Sequence, residues 1–175
     1  MRKISCLLII SALCTICCYA QNDGSLFMKS AIQKLQNGRD YTLKVAALMP
    51  AGKYGYKPSP EEMSFGAQLL HLCSNMGWLC SSYLGTEKNP VTADDAKLQT
   101  KEEIESVLKK TYAFAISTLE HFDKNKLAEP VKLFAGPMTR LQIINLLNDH
   151  QTHHRAQMLV YLRLNGIKPP DYVGW

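Results

Sequence analysis

The chain has 175 residues, a formal net charge of +5 and an apolar fraction of 46%. That is the length of one domain and a composition rich enough to bury a core, which excludes extended disorder. The positive charge is mild and unclustered, and no Lys/Arg run alternates with aromatics, so a nucleic-acid partner is not expected.

The first twenty residues differ from the rest. Met1-Arg2-Lys3 is a short basic start, residues 4–19 are almost wholly apolar, and Ala20 precedes the polar Gln21-Asn22-Asp23. This pattern predicts a secretory signal over residues 1–20, cleaved near Ala20, an exported (periplasmic or secreted) mature domain over 21–175, and no stable membrane insertion after cleavage. Cys14, Cys17 and Cys18 lie in this segment without the Leu-small-small context of a lipid attachment site. Four of the six cysteines fall in the signal. Cys73 and Cys80 remain, two helical turns and about 10 Å apart, too far for a bridge within one helix. They are expected to be buried thiols.

In the mature chain, Asn22-Asp23-Gly24-Ser25 offers caps for a first helix reaching about Met49, with Phe27, Ile32, Leu35, Leu43, Val45, Ala46 and Leu48 at helical spacing and Gly38 weakening its middle. Pro50-Ala51-Gly52 ends it, and residues 53–57 form a loop. Ser59-Pro60-Glu61-Glu62 has Ser at the N-cap, Pro at the first helical position and Glu closing a capping box, which predicts a second helix running to Leu84 and stopped by Gly85. Residues 87–99 read as a polar linker. Thr100-Lys101-Glu102-Glu103 is another capping box and opens a third helix to about Phe122. Residues 123–137 are irregular, with an extended piece at Val131–Phe134 closed by Gly136-Pro137. Thr139-Arg140-Leu141-Gln142 repeats the capping box and opens a fourth helix to Leu164, ended by Gly166. Residues 167–175 cannot be helical and are expected to pack across the bundle. The fold class is therefore all-α, a four-helix bundle with an irregular 123–137 connection and a non-helical C-terminal tail.

Three of the five histidines lie within Asn148–Gln157. His150 and His154 are i, i+4 neighbours, so their imidazoles share a helix face one turn apart, the spacing at which one helix offers two nitrogens to a metal. A metal needs more than two ligands. His71, mid-way along the second helix with Ala67, Gln68, Ser74 and Asn75 around it, is the third candidate, because bundle cores hold metals between facing helices. Three neutral imidazoles leave one position open, as in catalytic sites; structural sites close with four protein ligands. His153 lies about 100° from His154 around the helix, off the shared face. Gln157, one turn past His154, is placed to bond a ligand or to pack. Asn75 is placed to orient His71 or to face solvent. Arg155 is read as a bundle-edge ion-pair partner, Asp149 as outside the site, and His121 as a cation at a helix end. Tyr54, Tyr56, Tyr83 and Trp78 are read as core and rim. No Ser-His-Asp, Cys-His or phosphate-loop pattern is present.

These residues carry a resemblance. His71, the fourth-helix run His150-x-x-x-His154-Arg155-x-Gln157, and the ending Gly166–Tyr172 are similar to the DinB/YfiT-like superfamily of metal-binding four-helix bundles, over residues 25–172. The resemblance implies one divalent metal, zinc or nickel with manganese as a further candidate, held by His71, His150 and His154, and a homodimer. The family includes thiol-dependent transferases and isomerases that use mainly cytoplasmic thiols, which an exported chain does not meet. The expected activity is metal-dependent hydrolysis or transfer on a small molecule; the alternative is a non-catalytic metal-binding or structural bundle. The catalytic residues and the substrate are unassigned.

Overall fold

The structure is a computed structural model that describes residues 2–175, with side chains from Gly24 onward. The signal predicted over residues 1–20, with its cysteines, lies outside the residues described with side chains. Four helices carry the fold: α1 (Arg2–Leu48), α2 (Phe65–Leu79), α3 (Lys101–Glu120) and α4 (Arg140–Leu164). A two-stranded antiparallel hairpin, β1 (Pro130–Leu133) and β2 (Gly136–Thr139), leads directly into α4, with Val131 opposite Met138. The extended piece predicted at 131–134 is thus β1, and Gly136-Pro137, read as its end, starts the returning strand. Among the described residues no helix is long and apolar enough to cross a membrane.

Each helix packs against two others, in the cyclic order α1–α3–α2–α4. Helices adjacent in sequence therefore lie diagonally in two cases, α1 with α2 and α3 with α4. The enclosed core contains Leu35, Val45, Leu69, Leu72, Leu108, Tyr112, Ile143, Ile144 and Leu162, all fully buried. Each aliphatic side chain of this kind contributes roughly 1.5–3 kcal/mol by leaving water. Cys73 and Cys80 lie in the same core as free thiols. Burial pushes both thiols up to about 12, so they stay protonated and unreactive.

The capping boxes at Thr100 and Thr139 form with both reciprocal bonds, to Glu103 and Gln142. The one predicted at Ser59 does not start a helix. Only a turn forms there, with the Glu62 amide donating to the Ser59 carbonyl at 3.3 Å. The cap of α2 is Ser64, whose Oγ accepts from the Ala67 amide. The next free amides, Phe65 and Gly66, donate to the carbonyls of Tyr56 and Tyr54 at 3.0 and 2.8 Å. In the predicted helix those amides would have served Glu61 and Glu62. Tyr54 is 2% exposed, so its backbone is anchored by the core, and the loop satisfies the helix end from outside.

One expectation for α1 is corrected. Ser25 is inside the helix, not at its cap, and its hydroxyl meets Lys124 Nζ at 2.5 Å. At Gly38 the helix runs on unbroken, and a Cβ there would overlap the side-chain amide of Gln151 on α4. At the far end of α2, residues 80–84 continue as a π-helical turn in which the Gly85 amide donates to the Cys80 carbonyl. Gly166, with φ +72°, ends α4 as expected. The tail after it runs beside α1 and α4, where Lys34 lies over the Trp175 ring; Tyr172 and Trp175 stay exposed.

Candidate metal centre

Because α2 and α4 are neighbours, the polar patch of α2 faces the histidine pair of α4. One nitrogen from each of His71, His150 and His154 lies within 4.8 Å of the other two. The ring centroids are 4.4–5.1 Å apart, and the Nε2 atoms of His150 and His154 are 3.2 Å apart. Two nitrogens bound tetrahedrally to one ion at about 2.0–2.1 Å sit roughly 3.3 Å apart, so the spacing fits a shared cation. His154 is buried, whereas His71 and His150 are partly exposed, which leaves the cluster open on one side.

A chain of hydrogen bonds decides which nitrogen His154 presents. Tyr161 donates its single proton to the Met63 carbonyl at 3.0 Å, so it accepts from Gln68 Nε2 at 3.3 Å. The same Nε2 donates to Gln157 Oε1 at 2.5 Å. Gln68 Oε1 is thereby turned toward His154, whose Nδ1–H donates to it at 2.5 Å. The proton is fixed on Nδ1, and Nε2 carries a lone pair into the cluster. Burial first, and the neighbouring imidazoles second, hold both His150 and His154 down to about 4. Both are therefore neutral at pH 7, the form in which imidazole binds metal.

Gln68 is the residue that sequence reasoning underestimates. It is visible only as one member of the patch around His71, yet it is 2% exposed and holds the one buried histidine. Its signal was an amide three residues before His71 in an otherwise apolar helix. Gln157 reaches this chain through Gln68 rather than through a ligand, and its Nε2 lies 2.8 Å from Nε2 of the exposed His153. Asn75 makes no bond to His71; its Oδ1 is buried without a partner. Asp149 is exposed, and His121, at the end of α3, contacts the Ser117 carbonyl through Nδ1.

Arg155 departs from its reading as an edge ion-pair partner. It is 8% exposed, has no carboxylate partner among the described residues, lies over the Tyr41 ring at 5.1 Å and donates to Thr42 and Thr152. A guanidinium is weakly hydrated and stacks on aromatic faces, which lets it enter the α1–α4 contact where a lysine would not. Tyr54 is in the core, and Trp78 and Tyr83 are partly buried in edge-to-face contact. A cleft of about 710 Å³ lies where α3 ends and α4 begins, and none of the three clustered histidines lines it.

The sequence profile of the DinB family matches residues 23–174. The chain is 24% identical over 132 residues to the uncharacterized protein YjoA of Bacillus subtilis (strain 168), a match spanning 73% of this chain and 84% of that one. Among solved structures, a DinB-like protein from Bacillus cereus ATCC 10987 superposes with a TM-score of 0.67 at 20% identity, covering 83% of this chain and 97% of that chain. The crystal structure of B. subtilis YjoA gives 0.65 at 18% identity, with 82% and 96% covered. A mycothiol-dependent maleylpyruvate isomerase gives 0.62 at 12% identity, with 75% of this chain and 60% of that one covered. At these identities the likeness establishes the fold.

Proposed function

The chain belongs to the DinB family, and from that premise we propose that it binds one divalent metal through His71, His150 and His154 and acts on a small molecule by hydrolysis or group transfer. The observation that carries this reading is the meeting of three imidazole nitrogens within 4.8 Å, one of them with its tautomer set by Gln68. Three imidazoles suit zinc or nickel, with manganese a poorer match to an all-nitrogen set. When bound, such an ion supplies Lewis acidity at a position that the protein leaves open.

The rest is done by the chain itself. Burial keeps His150 and His154 uncharged, so the cluster does not repel a cation at neutral pH. The Gln68–Tyr161–Met63 chain stops the His154 ring from turning. His71 and His150, being partly exposed, form the side that an incoming molecule meets.

Elemental mass spectrometry of the purified protein tests the assignment. About one equivalent of zinc or nickel is expected, lost in His150→Ala and in His154→Ala. Metal retained in both variants, or none bound after incubation with either ion, overturns the reading.

A further inference from the structure

A second feature adjoins the histidine cluster. His71 also lines a cleft of about 390 Å³ between α2 and the segment 91–96. Met63, Leu70, Val91, Ala93 and Ala96 supply most of its apolar wall. The volume is that of pockets which enclose small organic molecules, and a molecule lying in it touches the imidazole of His71.

The polar inventory of this cleft is small. Ser74 and Thr92 contribute hydroxyl-bearing side chains, and no Lys or Arg lines it. The single carboxylate, Asp95, is already engaged: it accepts from the Thr92 amide at 2.7 Å, from Thr92 Oγ1 at 3.1 Å and from Lys110 Nζ at 3.3 Å. A carboxylate or phosphate placed against the apolar wall, away from His71, would lose its hydration with no cationic side chain of the lining to replace it. An uncharged apolar group loses nothing and gains by burial.

The outer wall is held in place although it belongs to a connection between helices. Asn89 sits against Gly77 of α2, where a Cβ would overlap its amide, and its Oδ1 accepts from the Val91 amide at 2.9 Å. Asp95 ties the same segment to α3 through Lys110. The polar linker of the sequence is, in the folded chain, the wall of a pocket.

We infer that this cleft seats the uncharged, apolar body of the substrate, with the reacting polar end directed to His71. The position of the reacting end rests on the metal reading; the apolar seat rests on the lining alone. Binding of straight-chain hydroxamic acids, from acetohydroxamic to hexanohydroxamic acid, to the zinc-loaded protein tests it by calorimetry. Each added methylene should tighten binding about three- to fourfold, and a chain of the same length ending in a carboxylate should lose that gain. In Ala96→Phe, an exposed position on the rim, the dependence on chain length should flatten while metal content stays at one equivalent. Binding independent of chain length in the metal-loaded wild type overturns the inference and leaves the metal reading intact. If the protein takes up no metal, the metal reading falls, and the cleft is judged with hexanamide on the metal-free protein. Amide shift changes in nitrogen-proton spectra should then centre on Leu70, Val91 and Ala96; their absence there overturns the inference.

Discussion

At the scale of single residues, the geometry of the histidine cluster involves a glutamine as well as the three imidazoles. Gln68 presents its oxygen to His154 because its amide nitrogen is already committed to Gln157 and Tyr161. Replacing it with leucine keeps the volume and removes the acceptor, so the His154 ring loses both its tautomer preference and its orientation. Gln68→Leu is expected to weaken zinc binding about 10- to 100-fold, measured by competition with a chelating dye; an unchanged affinity would show that the amide only packs. The i, i+4 histidine pair was plain in the sequence, because its spacing follows from helix geometry alone. The partner of His154 was not, because Gln68 is 86 positions away and only the packing of α2 on α4 brings them together. Arg155 makes the same point from the other side: its neighbour His154 fixes where it points, but not that Tyr41 and Thr42 of α1 would bury it.

At the scale of elements, the helices are set by local bonds where those bonds have no competitor. Thr100 and Thr139 cap α3 and α4 as their sequences specify, whereas Ser59 yields to Ser64 once Tyr54 and Tyr56 take up the first amides of α2. A buried polar network then fixes how α1, α3 and α4 sit together. Tyr112, fully buried on α3, donates to Gln151 Oε1 at 2.7 Å and lies 2.9 Å from Thr42 Oγ1. Gln151 Nε2 donates onward to Asn148 at 3.0 Å, and Thr42 to the Gly38 carbonyl at 2.7 Å. Removing one hydroxyl strands the Gln151 oxygen in the core. Tyr112→Phe should therefore cost about 1–3 kcal/mol of stability, read as a lower urea midpoint with unchanged slope; a midpoint equal to that of the wild type would mean that the network relaxes without it.

At the scale of the whole molecule, burial raises four acidic groups of the described core, two thiols and two phenols. Burial raises Cys73 and Cys80 from an ordinary value of 9.0 to about 12, and raises Tyr54 and Tyr112 as well, with the Glu105 carboxylate adding to the shift of Tyr54. Below about pH 9 the folded and unfolded chains hold the same protons on the thiols, and the stability they confer is fully present. As pH rises from about 9 through 12, the unfolded chain releases protons that the folded chain keeps, and that stability is lost. The urea midpoint, measured with reductant present, is expected to fall steadily from pH 9 to 11, and a level midpoint across this range would contradict the burial of these groups.

The period of the apolar residues, two capping boxes and the His150–His154 spacing determined the four helices, the all-α class and two of the three candidate ligands, because each depends on bonds or geometry within a few residues. The cyclic order α1–α3–α2–α4, and with it the approach of His71, was decided only in the tertiary structure. So were the start of α2, the hold of Gln68 on His154 and the conversion of residues 91–96 into a pocket wall. These features arise from contacts between distant segments competing for the same core and the same free amides, and local pattern carries no record of which competitor wins.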